Sequence, residues 1–382
     1  MACAVTSSRR LARGTCDALI TKCSCDPSEG SVMLFYNYVR LDTEACLELK
    51  AALEKEMNSL SLRGKIRLAA EGINATCAGS ANRVIEFEKK LKSAGEFEPL
   101  DLKEVDLKYQ GTWGCEHVFP DISVRIVTEL CPFEPTNRRI EANERVLIDD
   151  DSIFKINRLS PMEWRDALLH AHEEEDVVFL DVRNWYESRI GRFVTNKREQ
   201  TVCAPIRRFN QFRQWIEENG GGETLANKKV YAYCTGGVRC EKAATYLQTR
   251  SKHKPCSISV LVGGIVAYAR DVGSRALDED SEKFIGKNIV FDGRGAVEVN
   301  NSKPGSNISK HLTNCDTCSV RCLPILARCS SQNCHVILAT CSEKYSNLVF
   351  CCETCRKHDT EYGGKKLPCE CDSFKNRRKQ LE

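Results

Sequence analysis

The sequence predicts an α/β protein in three bodies: a ferredoxin-like α+β domain, a doubly wound parallel sheet, and a cysteine-rich tail. Three observations carry this. Between about Ser31 and Arg125, strand-like and helix-like patterns follow one another as βαββαβ, the split βαβ order. From about Ser160 to Asp271, buried strands alternate with amphipathic helices, as in a parallel sheet covered on both faces. Finally, 11 of the 23 cysteines fall between Cys315 and Cys371. A chain of 382 residues is in any case too long for one ordinary core.

Composition narrows the classes further. The net charge is +3, so no global basicity announces a nucleic acid, and any basic surface must be local. No apolar run approaches the ~20 residues that a membrane helix needs, so no membrane association is expected. The lead 1–30, "MACAVTSSRRLARGTCDALITKCSC" onward, carries arginines and serines but no apolar stretch of signal-peptide length. It reads as a disordered lead or, on composition, as an organelle transit segment. A cytoplasmic location is expected, with plastid or mitochondrion as the alternative if the lead is a transit segment.

In the first body, taken as 31–130, "VMLFYNYVRL" is a strand and "TEACLELKAALEKEM" a helix with Thr43 placed as its cap. "KIRLAAEGINATCAG" is a pair of short strands around Gly72. "SANRVIEFEKKLKSAG" is a helix opened by Ser80 and closed by Gly95, and "DLKEVDLKY" is a last strand. Such a domain supports many unrelated functions and proves no chemistry alone.

In the second body, taken as 156–275, "SPMEWRDALLHA" is a helix with Ser160 as cap and Pro161 at its first position. "DVVFLDVRNWYESRIGRF" opens with a buried strand that leads to Asp181 and Arg183, for which an ion pair or turn hydrogen bonds are the expected role. "FNQFRQWIEEN" is amphipathic. "VYAYCTGGVRCEKAATYL" is a strand, a glycine turn and a helix starting near Arg239, and "SISVLVGGIVAYA" is a further strand. Ligands of such sheets bind beyond the carboxyl ends of the strands, where Cys234 sits.

The loop from Cys234 to Cys240 is built for a reactive thiolate. Peptide N–H groups from Thr235 onward lack intrahelical partners, and Gly236 and Gly237 let the backbone curl around one point. Such a nest, backed by the positive end of a helix, favours an anion and lowers a thiol's pKa. Arg239 adds charge that can hold the same anion. Four residues, Thr235, Gly236, Gly237 and Val238, separate the cysteine from the arginine, one fewer than in cysteine phosphatases. The tighter loop suits a smaller guest, such as the outer sulfur of a persulfide. Cys240, near the start of the helix, is either a resolving thiol or an anchor for the turn.

"DVRNWYESRIGRF", "YCTGGVRCEKA" and "LVGGIVAY" resemble the rhodanese domain. Together with "RLAAEGINATCAGS" upstream and "GKNIVFDGR" downstream, they resemble the rhodanese-type tRNA uridine hydroxylases over roughly Ser31 to Arg294. This resemblance implies an acylphosphatase-like first domain and a rhodanese second domain. It implies that Cys234 is the persulfide-forming cysteine, and that the reaction is 5-hydroxylation of the wobble uridine in tRNA with molecular oxygen as co-substrate. One segment departs from the family pattern, the longer basic "VTNKREQTVCAPIRRF". It is either a solvated loop or a phosphate contact through Lys197, Arg198, Arg207 and Arg208. Glu71, Gly72 and Asn74 belong to a family motif that also describes an ordinary turn.

The third body, taken as 310–372, carries its cysteines as Cys315-x2-Cys318, Cys322, Cys329-x4-Cys334, Cys341, Cys351-Cys352-x2-Cys355 and Cys369-x-Cys371. A secreted disulfide framework would need a signal peptide, so metal is the expected partner of these thiols. Two-residue spacing lets both sulfurs of a knuckle reach one tetrahedral ion. Structural zinc held by Cys315, Cys318, Cys329, Cys334, Cys341, Cys352 and Cys355 is the reading, with an iron–sulfur cluster the alternative. Two functions follow: a tRNA-modifying enzyme, and a sulfurtransferase with a sulfur donor or acceptor as its partner. The motifs that flank the central domain favour the first, because sulfur transfer does not need them.

Overall fold

The computed structural model describes residues 29–93, 95–102, 112–113, 116–134, 156–173, 175–195, 201–273, 283–299, 313–322, 325–331, 334, 336–341 and 349–361. The lead 1–28, the expected strand "DLKEVDLKY", and Lys197, Arg198, Cys369 and Cys371 lie outside them, at least in part for the strand. Among the described residues, no helix is long and apolar enough to cross a membrane.

Among the described residues, the first domain is a five-stranded sheet. Its strands are β1 (Gly30–Tyr38), β2 (Arg63–Ala69), β3 (Gly72–Ser80), β4 (Thr112–Trp113) and β5 (Ile122–Ile126), in the order β4-β1-β3-β2-β5. β3 lies antiparallel between β1 and β2, which is the arrangement that the split βαβ order requires. Helices α1 (Thr43–Ser59) and α2 (Ala81–Lys92) bury Leu49, Leu53, Met57, Val84, Phe87 and Leu91 against Met33, Phe35, Ile66 and Ile73. The α1 cap is Asp42 rather than Thr43: its carboxylate accepts the Ala45 N–H at 2.8 Å. Both residues are cap formers, and the carboxylate one position earlier reaches the third amide of the first turn. Ser80 precedes α2 without a side-chain cap bond. Gly72 sits at φ +128°, where a Cβ would lie 2.1 Å from the Asn37 carbonyl oxygen, so this turn demands glycine.

The second domain is a parallel sheet in the order β6-β11-β10-β7-β9. Its strands are β6 (Asn157–Leu159), β7 (Val177–Asp181), β9 (Thr201–Cys203), β10 (Lys229–Tyr233) and β11 (Ser257–Leu261). Helices α3 (Pro161–His170), α5 (Phe212–Glu218) and α7 (Val238–Thr249) are supplied by the expected segments, with the short α6 (Gly221–Leu225) between the last two. α3 carries the Ser160 capping box, with Glu163 reaching back to the Ser160 N–H at 2.8 Å. Trp164, Phe179, Tyr233 and Ile265 fill one core, and Phe212, Trp215, Ala243 and Leu247 fill another.

"SISVLVGGIVAYA" is not one strand. It ends at Leu261, and Gly263 and Gly264 take left-handed backbone at φ +70° and +60° before a short helix, α8 (Gly264–Tyr268). Two consecutive glycines free of the β region stop the extended run. A Cβ on Gly264 would meet the Cys234 carbonyl oxygen at 2.4 Å, so this turn lies directly against the reactive loop.

Two further pieces complete the frame. The short helix α4 (Trp185–Ile190) leads into β8 (Gly191–Phe193), which pairs with β12 (Phe284–Ile289) in a three-stranded sheet with β13 (Ala296–Glu298). The tail comprises the pairs β14–β15 (Thr313–Asn314, Arg321–Cys322) and β16–β17 (Ile325–Arg328, Ile337–Thr340), followed by α9 (Glu353–Glu361). It packs Ala327, Val336, Leu338 and Val349 onto Trp185 and Tyr186 of α4. Arg189 fixes the contact, with its two terminal nitrogens on the two Asp316 carboxylate oxygens at 2.7 and 2.5 Å.

A buried charge cluster joins the first domain to the second. Lys242 of α7 is fully enclosed and donates to Glu71 at 2.9 and 3.0 Å and to Glu129 at 2.7 Å. Glu71 also accepts the Leu130 N–H at 2.7 Å, which gives this motif residue a role in the domain junction. Lys242→Met would leave the buried Glu71 and the partly buried Glu129 without their cation, a loss of about 3–5 kcal/mol. The expected result is a clear drop in the urea unfolding midpoint, and an unchanged midpoint would contradict it.

Candidate active site

Cys234 follows β10 at the carboxyl edge of the parallel sheet and is fully buried. The loop bends through Gly237, at φ +97°, directly into α7. The first domain accounts for both glycines. A Cβ on Gly236 would lie 2.9 Å from Leu34, and one on Gly237 would lie 2.7 Å from the Tyr36 hydroxyl oxygen. Strand β1 therefore leans on the reactive loop. Tyr38 donates to the Val238 carbonyl at 2.8 Å, and Tyr36 donates to Glu241 at 3.0 Å. From the other side, Ile265 and Val266 donate their N–H groups to the Cys234 and Thr235 carbonyls, each at 3.0 Å.

The Cys234 sulfur accepts the Gly237 N–H at 3.1 Å. Burial pushes its thiol up, but the hydrogen bond from Cys240, the Arg239 charge and the Arg239 and Gly237 amides outweigh burial and lower its pKa to about 6. At neutral pH this sulfur is a thiolate. Cys240 shows the opposite behaviour: burial and the neighbouring Cys234 hold its thiol well above the ordinary value, so it stays protonated and donates. Alkylation of Cys234 by iodoacetamide should accelerate as pH rises through about 6 and then level off. Mass spectrometry of the modified peptide reads this, and a midpoint at the ordinary thiol value would contradict the cradle.

Arg239 is not an unencumbered anion ligand. Its terminal nitrogens donate to the two Glu187 carboxylate oxygens, each at 3.0 Å, and one also donates to the Thr235 hydroxyl at 3.2 Å. Thr235 in turn donates toward Glu187 at 3.3 Å. Glu187 is fully buried on α4, the helix whose Trp185 and Tyr186 carry the tail. Sequence reasoning passed over it, although it stands in "NWYESRIGRF". Phe291 was also missed; its ring lies 5.7 Å from the Arg239 guanidinium carbon. Asp181 and Arg183 form a fully buried pair at 2.6 Å, with Arg183 also donating to the Gly191 carbonyl at 2.5 Å. They brace the sheet edge beside the loop.

Of the four basic residues expected to touch phosphate, Arg208 is exposed and Arg207 is not. Arg207 is 5% accessible and donates to the Cys334 sulfur at 3.0 Å. Its guanidinium is thus engaged with a buried sulfur of the tail.

The tail sulfurs converge in two groups. Cys329, Cys334, Cys351 and Cys355 place their sulfurs within 4.8 Å of one another, and Cys315, Cys318 and Cys341 do the same. In the first group Cys334–Cys351 and Cys351–Cys355 stand 3.6 and 3.4 Å apart. Four thiolates on a tetrahedral ion with ~2.3 Å bonds lie about 3.8 Å from each other. The donor set therefore fits a metal. The Arg207 donor to Cys334 and the Cys351 N–H to Cys329, at 3.5 Å, are the hydrogen bonds that metal thiolates attract. Cys351 joins this group, and the Cys352 sulfur stands beside it at 3.8 Å from that of Cys351. Cys352 precedes α9, and its sulfur accepts the Cys355 N–H at 3.4 Å, capping the helix.

Comparison with known proteins places these features in sequence order. The chain matches the UPF0176 acylphosphatase like domain over residues 30–130, the rhodanese-like domain over 165–271, and the rhodanase C-terminal domain over 285–361. It is 30% identical to rhodanese-like domain-containing protein 6 of Arabidopsis thaliana, over 87% of this chain but only 54% of that protein. It is 31% identical to a tRNA uridine(34) hydroxylase of Leptospira interrogans, over 84% of this chain and 76% of that one. With a tRNA uridine(34) hydroxylase of Listeria welshimeri it shares 30% identity, over 90% of this chain and 94% of the other.

Proposed function

The chain belongs to the tRNA uridine(34) hydroxylase family, and we infer that it hydroxylates the wobble uridine of tRNA with Cys234 as the reactive group. One observation carries this reading beyond family membership. The thiolate loop is clasped by β1 of the first domain and braced, through Glu187, by the helix that carries the tail. Sulfur transfer needs neither flank, whereas a folded RNA offers enough surface to engage several domains.

The residues divide the work as follows. The Gly237 amide, Arg239 and Cys240 keep Cys234 ionised, so the site offers a nucleophile without a separate base. Glu187 and Thr235 hold the Arg239 guanidinium in place. The four-residue spacing to Arg239 suits one extra sulfur on Cys234, as a persulfide charged by a sulfane donor. Hydroxylation at C5 of uracil takes one oxygen atom from molecular oxygen. The other leaves as water, which requires two electrons and two protons from a thiol-class reductant. Arg208 is assigned to tRNA phosphate, and zinc to the Cys329, Cys334, Cys351 and Cys355 tetrad.

Mass spectrometry of tRNA nucleosides from cells lacking this protein and its paralogues tests the reading. Loss of 5-hydroxyuridine derivatives is expected. Unchanged derivatives would leave sulfur transfer from thiosulfate through Cys234 as the better account.

A further inference from the structure

The loop that follows β12 presents an aromatic ring at the reactive site. Phe291 is 56% accessible, although its neighbours Ile289 and Val290 are buried. The loop is firmly built. Val290 donates its N–H to the Gly295 carbonyl at 2.9 Å, and Gly293 donates to Val118 of the first domain at 2.8 Å. Arg294 closes on Asp292 through its backbone N–H at 3.0 Å and its guanidinium at 2.8 and 2.6 Å. The Ile289 carbonyl faces the Thr235 hydroxyl at 3.5 Å, which ties the base of the loop to the reactive turn.

Scattered exposed apolar side chains are normal, and Leu47, Ile85, Ile126 and Val320 are exposed without lying in this site. Phe291 differs by its place. Its ring stands against the guanidinium of Arg239, whose own loop carries Cys234. An exposed ring beside a flat cation is the platform on which single-stranded bases stack, because every base presents a π face. A base taken out of its stack needs such a surface next to the atom that reacts with it.

We propose that Phe291 is the stacking platform for the substrate uracil, offering the exposed face of its ring beside Arg239 and the Cys234 loop. This rests on the reading of tRNA as substrate, and it assigns the recognition surface for the base itself.

The test uses the full chain and an unmodified tRNA transcript with uridine at position 34. Phe291→Ala should weaken binding about tenfold, Phe291→Tyr should restore it, and Phe291→Leu, apolar but without a π face, should behave like alanine. The pH profile of Cys234 alkylation should be the same in all variants, because Glu187 keeps Arg239 in place without the ring. With 5-iodouridine at position 34, irradiation should crosslink the RNA to Phe291, a signal that does not depend on turnover. A Phe291→Ala variant that binds and reacts like the wild type would overturn the proposal. So would leucine restoring binding as well as tyrosine does, or a crosslink that maps elsewhere. Wild-type protein that neither binds nor hydroxylates the transcript would overturn the tRNA reading first, and this inference with it.

Discussion

Replacing Cys234 by serine is expected to abolish hydroxylation, by on the order of a thousandfold or more, while the fold persists. The reason lies in ionisation. A serine hydroxyl stays protonated in a cradle that brings a thiol to a pKa of about 6, and it cannot carry a persulfide sulfur. Serine is smaller than cysteine by little, and the Gly237 N–H can donate to its oxygen as it does to the sulfur. Thermal unfolding should therefore move little, and product analysis should show the loss. Full activity in a folded Cys234→Ser protein would remove the loop from the chemistry.

The second large effect concerns the tail. Cys351→Ser should abolish metal binding by the tetrad, because one donor of four is lost from a set whose sulfurs already converge. Structural zinc sites of this type contribute about 10–16 kcal/mol to folding, so the tail should open while the sheet of the second domain survives. Cys352→Ser should lose less metal, because that sulfur stands beside the tetrad, next to Cys351, and also caps α9. Elemental analysis of the two variants separates them. Equal metal loss in both, or no metal in the wild type, would contradict the assignment.

Much of this architecture was legible because it is written locally. Apolar periodicity marked the strands and helices of both α/β domains, and Ser160 with Pro161 marked the start of α3. The loop from Cys234 to Arg239 was readable for the same reason, since a strand, two glycines, an arginine and a helix follow in order. What escaped was non-local or depended on one bond. Glu187 acts on Arg239 across 52 positions, so no spacing announces the pair. Phe291 reaches the same guanidinium from another strand's end. Arg207 looked like part of a solvated basic run, and only the folded tail supplies the Cys334 sulfur that turns it inward. Cys351 and Cys352 are neighbours of one residue type, and spacing does not register that Cys351 also converges with Cys329, Cys334 and Cys355. The strand expected through "VGGIVAY" failed because two glycines can leave the β region together, which side-chain periodicity does not register.

The most direct measurement follows oxygen into the nucleoside. Purified protein, an unmodified tRNA transcript, a thiol reductant and heavy-isotope dioxygen are combined, and the nucleoside at position 34 is analysed by mass spectrometry. The account expects one heavy oxygen atom in a 5-hydroxyuridine at that position, absent when Cys234 is serine. No oxygen in the nucleoside, together with thiosulfate turnover through Cys234, would contradict it.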